Sequence, residues 1–178
     1  MEKIIVYGGH YGNAERYAYK LAEKTGFPVY DYKVLGDLKN VDAMLYIGSL
    51  YAGGIVGLKK TLKKAEGNFN LKLVMVTVGL SDPEMEESKK NLETAMKIAL
   101  PAKYNLEENV FHIRGGIDYG KLRFIHKMMM AMLYQMVKRK SADKKTIEDQ
   151  QLIETYNTTI KVDDSDKLGA IEKRFQEV

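Results

Sequence analysis

The feature that most constrains this chain is an alternation. Short apolar runs end in glycine, and each is followed by a segment whose apolar residues recur at helical spacing. Ile4-Ile5-Val6-Tyr7 is a strand by length and β-branching, and it opens directly into Gly8-Gly9-His10-Tyr11-Gly12. Ala14, Tyr17, Ala18, Leu21 and Ala22 then form one helical stripe, which Gly26 and Pro28 stop. Residues 29 to 34 read as a weaker second strand. Residues 43 to 47 read as a third, apolar throughout as a strand covered on both faces requires, leading into Gly48 to Gly54. Leu58, Leu62 and Ala65 mark a short helix. Residues 71 to 78 give a fourth strand, ending at Gly79-Leu80-Ser81. Ser81 or Asp82 is placed to cap the next helix, with Pro83 in its first position. That helix carries Met85, Ser88, Leu92, Ala95, Met96 and Ala99 to Pro101. Val110 to Ile113 is the fifth strand, with Gly115-Gly116 at its end, and a last helix is expected from about 166 to 176.

Parallel strands need crossover connections, so strands separated by helices predict an α/β fold. The expected sheet is parallel and five-stranded, in the order 2-1-3-4-5, with helices on both faces. At 178 residues the chain suits one domain. Residues 117 to 160 exceed the five-unit pattern and read as an insertion between strand five and the last helix. Residues 144 to 159 within it are polar and expected to be partly irregular.

The chain has no cysteine, which excludes disulfides, thiolate nucleophiles, iron–sulfur clusters and thiolate zinc sites. Any redox role would therefore rest on a bound organic cofactor. His112 and His126 lack ligand spacing, so no metal site is expected. The first strand begins near Lys3, which gives no signal-peptide pattern and an expectation of the cytoplasm. No run reaches the ~18 apolar residues of a spanning helix.

In open doubly wound sheets, ligands bind beyond the carboxyl ends of the strands, where strand order reverses. Three of the expected strands end in small, glycine-containing loops, at Gly8 to Asn13, Gly48 to Gly54 and Gly79 to Ser81. The order 2-1-3-4-5 makes those ends neighbours. The first loop also opens a helix, whose N-terminal N–H groups and dipole suit a phosphate. Any one of these loops alone reads more readily as a tight turn, and it is the expected meeting of three that points to a site. The first loop is neither a Walker motif nor the dinucleotide fingerprint, since no Gly-Lys-Ser/Thr follows and its glycines fall at 8, 9 and 12.

On the first strand and loop Gly8 to Ala14, the stretches 46–51 and 76–80, and Gly115-Gly116-Ile117-Asp118-Tyr119, the chain resembles the flavodoxin family. Within that family it is most similar to the flavodoxin-type, quinone-linked protoporphyrinogen oxidases. The resemblance implies non-covalent FMN. Its phosphate would lie on the Gly9, His10, Tyr11, Gly12, Asn13 and Ala14 segment, and its ring between Ser49, Leu50, Tyr51, Ala52 and Gly53 on one side and Gly79, Leu80 and Ser81 on the other. Tyr51 is the expected stacking residue. The family's phosphate loop is rich in Ser and Thr, whereas Gly8, Gly9 and Ala14 stand at the matching positions here. Each lost hydroxyl bond weakens binding by ~0.5 to 1.5 kcal/mol, so FMN is expected to be held weakly. Two function classes follow. One is an FMN oxidoreductase serving a redox partner or quinone, with no catalytic side chain singled out. The other is a flavodoxin-like binding or regulatory module with a degenerate phosphate loop.

The formal charge is +4, but residues 121 to 145 hold eight basic side chains and one acid, Asp143. Five of the ten methionines fall at 128, 129, 130, 132 and 136. Written as a helix, Leu122, Ile125, Met129, Met132, Leu133 and Met136 share a stripe, with cations at its ends and along its other flank. Such a helix suits peripheral membrane contact through 121–140, on the cytoplasmic face, or an acidic partner, and it equally suits packing over the sheet edge or a homodimer interface. Nucleic acid is not expected, because no recognition motif accompanies the charge.

Overall fold

The computed structural model describes residues 1–178 other than 52–53, 102–103 and 105–107, with side chains for all of these except Glu87 and Glu148. The elements in order are β1 (Lys3–Gly8), α1 (Asn13–Thr25), β2 (Val29–Asp31), β3 (Ala43–Tyr51), β4 (Gly54–Ile55), α2 (Leu58–Lys64), β5 (Lys72–Gly79), α3 (Glu86–Ala99), β6 (Val110–Asp118), α4 (Phe124–Lys138), α5 (Ile147–Thr155), β7 (Thr159–Asp163) and α6 (Leu168–Glu177). The sheet order is β2-β1-β3-β5-β6-β7, and the first five strands of that path pair in parallel. The expected order is thus present, with two strands added. β4 turns back antiparallel on β3, and β7 extends the sheet beyond β6.

The chain divides into two compact units, one of Met1–Gly115 with Asp163–Val178 and the other of Gly116–Val162. In the first, each strand sends alternate side chains to opposite faces, as the two-residue period demands. Val6, Met44, Tyr46 and Met75 join Leu58 and Leu62 of α2 and Met96 of α3 in one core. Ile5, Leu45, Ile47, Val76 and Ile113 join Ala14, Tyr17 and Leu21 of α1 and Leu168, Ile171 and Phe175 of α6 in the other. Both faces are covered, so the strands are apolar throughout rather than alternating. A tie on the α1 side closes this unit. The Tyr17 hydroxyl donates to the Arg114 carbonyl at 2.7 Å and accepts from the Asp164 N–H at 2.9 Å, while Lys20 reaches Asp163 at 2.8 Å.

Several boundaries differ from the sequence reading. β2 keeps only three residues of the expected six. Asp82 does not cap a helix at Pro83. Its carboxylate accepts the Glu84 N–H at 3.0 Å, making a local turn, and α3 begins at Glu86. β6 does not stop at Gly115-Gly116 but runs through both. A side chain at 115 would strike Val78 and Asn13, so glycine is there for close approach rather than for a turn.

The second unit is ordered where irregular chain was expected. Thr146 and Asp149 form a reciprocal capping box that starts α5, with N–H to oxygen distances of 3.0 and 3.1 Å. Lys140 donates to the same Asp149 carboxylate at 2.7 Å. Tyr134 of α4 stacks on Tyr156 at 4.1 Å between ring centroids, and Tyr119 meets that ring edge-on at 5.5 Å.

Candidate functional site

β1 ends where the strand order reverses, between β2 and β3, and its glycine loop leads straight into α1. Gly12 is the N-cap of α1, with φ 84°, and supplies no side-chain cap. That left-handed conformation favours glycine, and a Cβ there would meet nothing within 4 Å among the described residues. The first intrahelical bond is Arg16 N–H to the Gly12 carbonyl at 2.9 Å. The N–H groups of the turn before it have no acceptor within the helix. The end of α1 is therefore polarised toward an anion, with no side-chain cap on it.

The expected meeting of the loops is visible in what a side chain at each glycine would touch. A Cβ on Gly9 would lie 2.9 Å from the Ser49 hydroxyl and 3.3 Å from the Ala14 methyl. One on Gly79 would lie 3.0 Å from Leu50, and one on Gly115 would lie 3.0 Å from the Asn13 side chain. The ends of β1, β3, β5 and β6 thus press together at one edge, as the parallel register Gly8↔Gly48 and Gly79↔Arg114 requires. Beneath them the Tyr46 hydroxyl donates to the Val56 carbonyl at 2.6 Å, and both atoms occupy the space a side chain on Gly8 would need. Burial pushes the Tyr46 phenol well above its ordinary range, so it remains a donor.

The individual residues divide by what their side chains can offer. Gly9 and Asn13 are half-buried, Gly12 and His10 are exposed, and Tyr11 is half-buried. Ala14 is fully buried in the α1 side of the core, which leaves only its backbone for a ligand. Ser49, Leu50 and Tyr51 are not on a free loop: they are the last residues of β3, and Leu50 and Tyr51 pair with Ile55 and Gly54. Leu50 packs onto the other core cluster. His10 and Tyr51 meet edge to face, with 5.3 Å between ring centroids, so first and second loops are joined by two aromatic rings. Leu80 is half-buried and Ser81 exposed. Ala52 and Gly53 lie outside the described residues.

Five residues near these strand ends were given no site role from the sequence. Tyr7 donates to Glu15 at 3.2 Å in the first turn of α1. Burial and then the neighbouring Glu15 charge push the Tyr7 phenol up to about 12. The Thr77 hydroxyl and His112 Nδ1 lie 2.6 Å apart across β5 and β6, and burial lowers the pKa of that imidazole. Arg114, next in register to Gly79, has a buried Nε without a hydrogen-bond partner among the described residues. The spacing of Glu15 and Tyr7, eight residues apart on different elements, gave no sequence signal. Among the described residues no group of histidine or carboxylate side chains could hold a metal.

The uncapped, dipole-polarised end of α1 suits an anion such as the phosphate of a flavin mononucleotide. The hydroxyl supply is thin. The Ser49 hydroxyl stands against Gly9 of the first loop.

Comparison with known proteins bears on the same residues. A match to the Flavodoxin domain family covers residues 4–144. No curated protein matches. Among solved structures, a flavodoxin, WrbA-like protein from Agrobacterium tumefaciens is 13% identical, with 97% of this chain and 98% of that one covered at a TM-score of 0.45. A flavodoxin from the domain Archaea is 14% identical over 64% of this chain and 83% of its own, at 0.42. Flavodoxin 1 from Bacillus cereus is 13% identical over 64% and 84%, at 0.35.

Proposed function

The chain belongs to the flavodoxin domain family, and from that membership we propose that it binds FMN non-covalently and passes electrons through it. The observation that carries this reading is the uncapped N-terminus of α1, which opens at the strand-order reversal where the ends of β1, β3 and β5 converge. FMN, when bound, supplies one- and two-electron chemistry that no side chain of this cysteine-free protein offers. The protein's part is to hold and orient. Backbone N–H groups of the 9–14 segment take the phosphate, Ser49 replaces one missing loop hydroxyl, and the His10–Tyr51 pair lines the approach to the ring.

A finer reading is an oxidase of the protoporphyrinogen type delivering electrons to a quinone. Its support is the run from Gly115 to Tyr119 leading into the methionine-rich 116–162 unit.

Titration of the purified chain with FMN tests the general reading, and a shifted flavin spectrum with quenched fluorescence is expected. Ser49→Ala should weaken binding roughly 2- to 10-fold, the loss of one hydrogen bond. No spectral change at any FMN concentration would leave the binding or regulatory module with a lapsed cofactor site. If FMN binds but protoporphyrinogen is not oxidised with a quinone acceptor, the oxidase reading falls and the carrier reading stands.

A further inference from the structure

Helix α4 is built inside out relative to the rest of the chain. Phe124, Ile125, Met128, Met129, Met132, Leu133 and Met136 are between 43% and 76% exposed. At 100° per residue they cover about half the circumference. The opposite half is the packed one, where Val137 is 3% exposed and Tyr134 stacks on Tyr156. Isolated exposed apolar residues are ordinary, but seven contiguous ones on a single helix mark a contact surface.

Charge decides what that surface can meet. Between residues 119 and 142 there is no acid, while Lys121, Arg123 and Lys127 precede or open the helix and Lys138, Arg139 and Lys140 close it. Lys140 is committed to Asp149, and Lys121 lies 3.8 Å from Asp118. The cations flank the apolar arc at both ends. A second copy docked symmetrically through α4, parallel or antiparallel, would set cations against cations with no acid to answer them. An anionic bilayer reverses that sign. A helix lying flat needs an apolar underside and cations at headgroup level, and α4 has both over its 15 residues, about 22 Å. No helix among the described residues is long and apolar enough to cross. Methionine adds flexible side chains that adapt to a fluid surface.

We propose that α4 is an in-plane anchor for anionic phospholipid membranes, its Met-rich face embedded and its terminal lysines and arginines on the headgroups. This inference does not rest on FMN binding.

The chain has no tryptophan, so a single introduced one reports cleanly. In the full chain, Met132→Trp emission should shift to the blue and escape iodide quenching on vesicles of phosphatidylcholine with phosphatidylglycerol, and not on phosphatidylcholine alone. Phe69→Trp, 88% exposed outside this unit, should not respond. Co-sedimentation of the double variant Lys127→Gln, Arg139→Gln should fall about 25-fold, some fivefold per cation removed, and high salt should mimic it. Circular dichroism and melting establish that each variant folds, and Met128→Trp replaces Met132→Trp if that one does not. Absence of binding to the anionic vesicles, or equal binding to neutral ones, overturns the proposal. So does a dimer in sedimentation equilibrium that Met132→Ser dissociates, or a poly-glutamate complex as tight as the vesicle complex, which would make the surface a docking face for protein.

Discussion

The two units of this molecule treat apolar side chains in opposite ways. In the body, Tyr17, Tyr46, Leu45, Ile47 and Phe175 are fully buried, and both faces of the sheet are covered. In the 116–162 unit the largest apolar stripe faces outward, and order comes from a capping box, an ion pair and a tyrosine stack. Helical periodicity names the residues that share a face. It does not name the direction the face looks.

The contrast can be broken by mutation. The largest effect is expected from Phe175→Ala in the body, which removes a fully buried ring packed on Phe27 at 5.4 Å and should cost ~3 to 5 kcal/mol in urea unfolding. Met132→Ala, a smaller apolar loss, should stay within about 0.5 kcal/mol because the side chain is 64% exposed. Equal costs would mean that α4 is covered in solution. Next comes Gly48→Ala, where a methyl would strike Ile55 and press on the Tyr46 ring at 3.0 Å, for ~1 to 3 kcal/mol of overpacking and weaker FMN binding.

Thr146→Ala should cost about 1 kcal/mol and speed amide exchange in α5 while leaving β3 unchanged. Burial works against the charge on Asp149, but Lys140 and the Thr146 N–H hold its carboxyl below the usual range. The group therefore stabilises the fold above its unfolded pKa near ~4, and that contribution disappears as pH falls through the lowered folded value. The smallest effect belongs to the body. His112 is harder to protonate folded than unfolded because it is buried. Stability should fall as pH drops through the unfolded value near ~6.5 and level off once the folded imidazole also takes its proton. Urea midpoints of His112→Asn should lack that slope.

The fold was largely legible, because β1, β3 and β5 are continuous apolar runs and α1, α3 and α6 carry clear stripes. β4 is two residues long, and β7 alternates half-buried with exposed positions, so neither left a strong pattern. α5 escaped because its start depends on a side chain reaching back three residues rather than on apolar spacing. At the site, the converging loops were foreseen from strand order alone. That the Ser49 hydroxyl lies against Gly9 and the Ala14 methyl in the core was not, because both turn on contacts between separate elements.

The sequence by itself determined the parallel α/β sheet, the glycine loops at its carboxyl edge and the cationic, methionine-rich segment, since these follow from local periodicity and residue type. Only the tertiary structure decided that Ser49 faces Gly9, that Gly115 and Gly116 lie inside a strand, that Lys140 is spent on Asp149, and that the α4 stripe looks outward. Each of these turns on contacts between residues distant along the chain or on which side of an element is covered, and no local pattern carries that information.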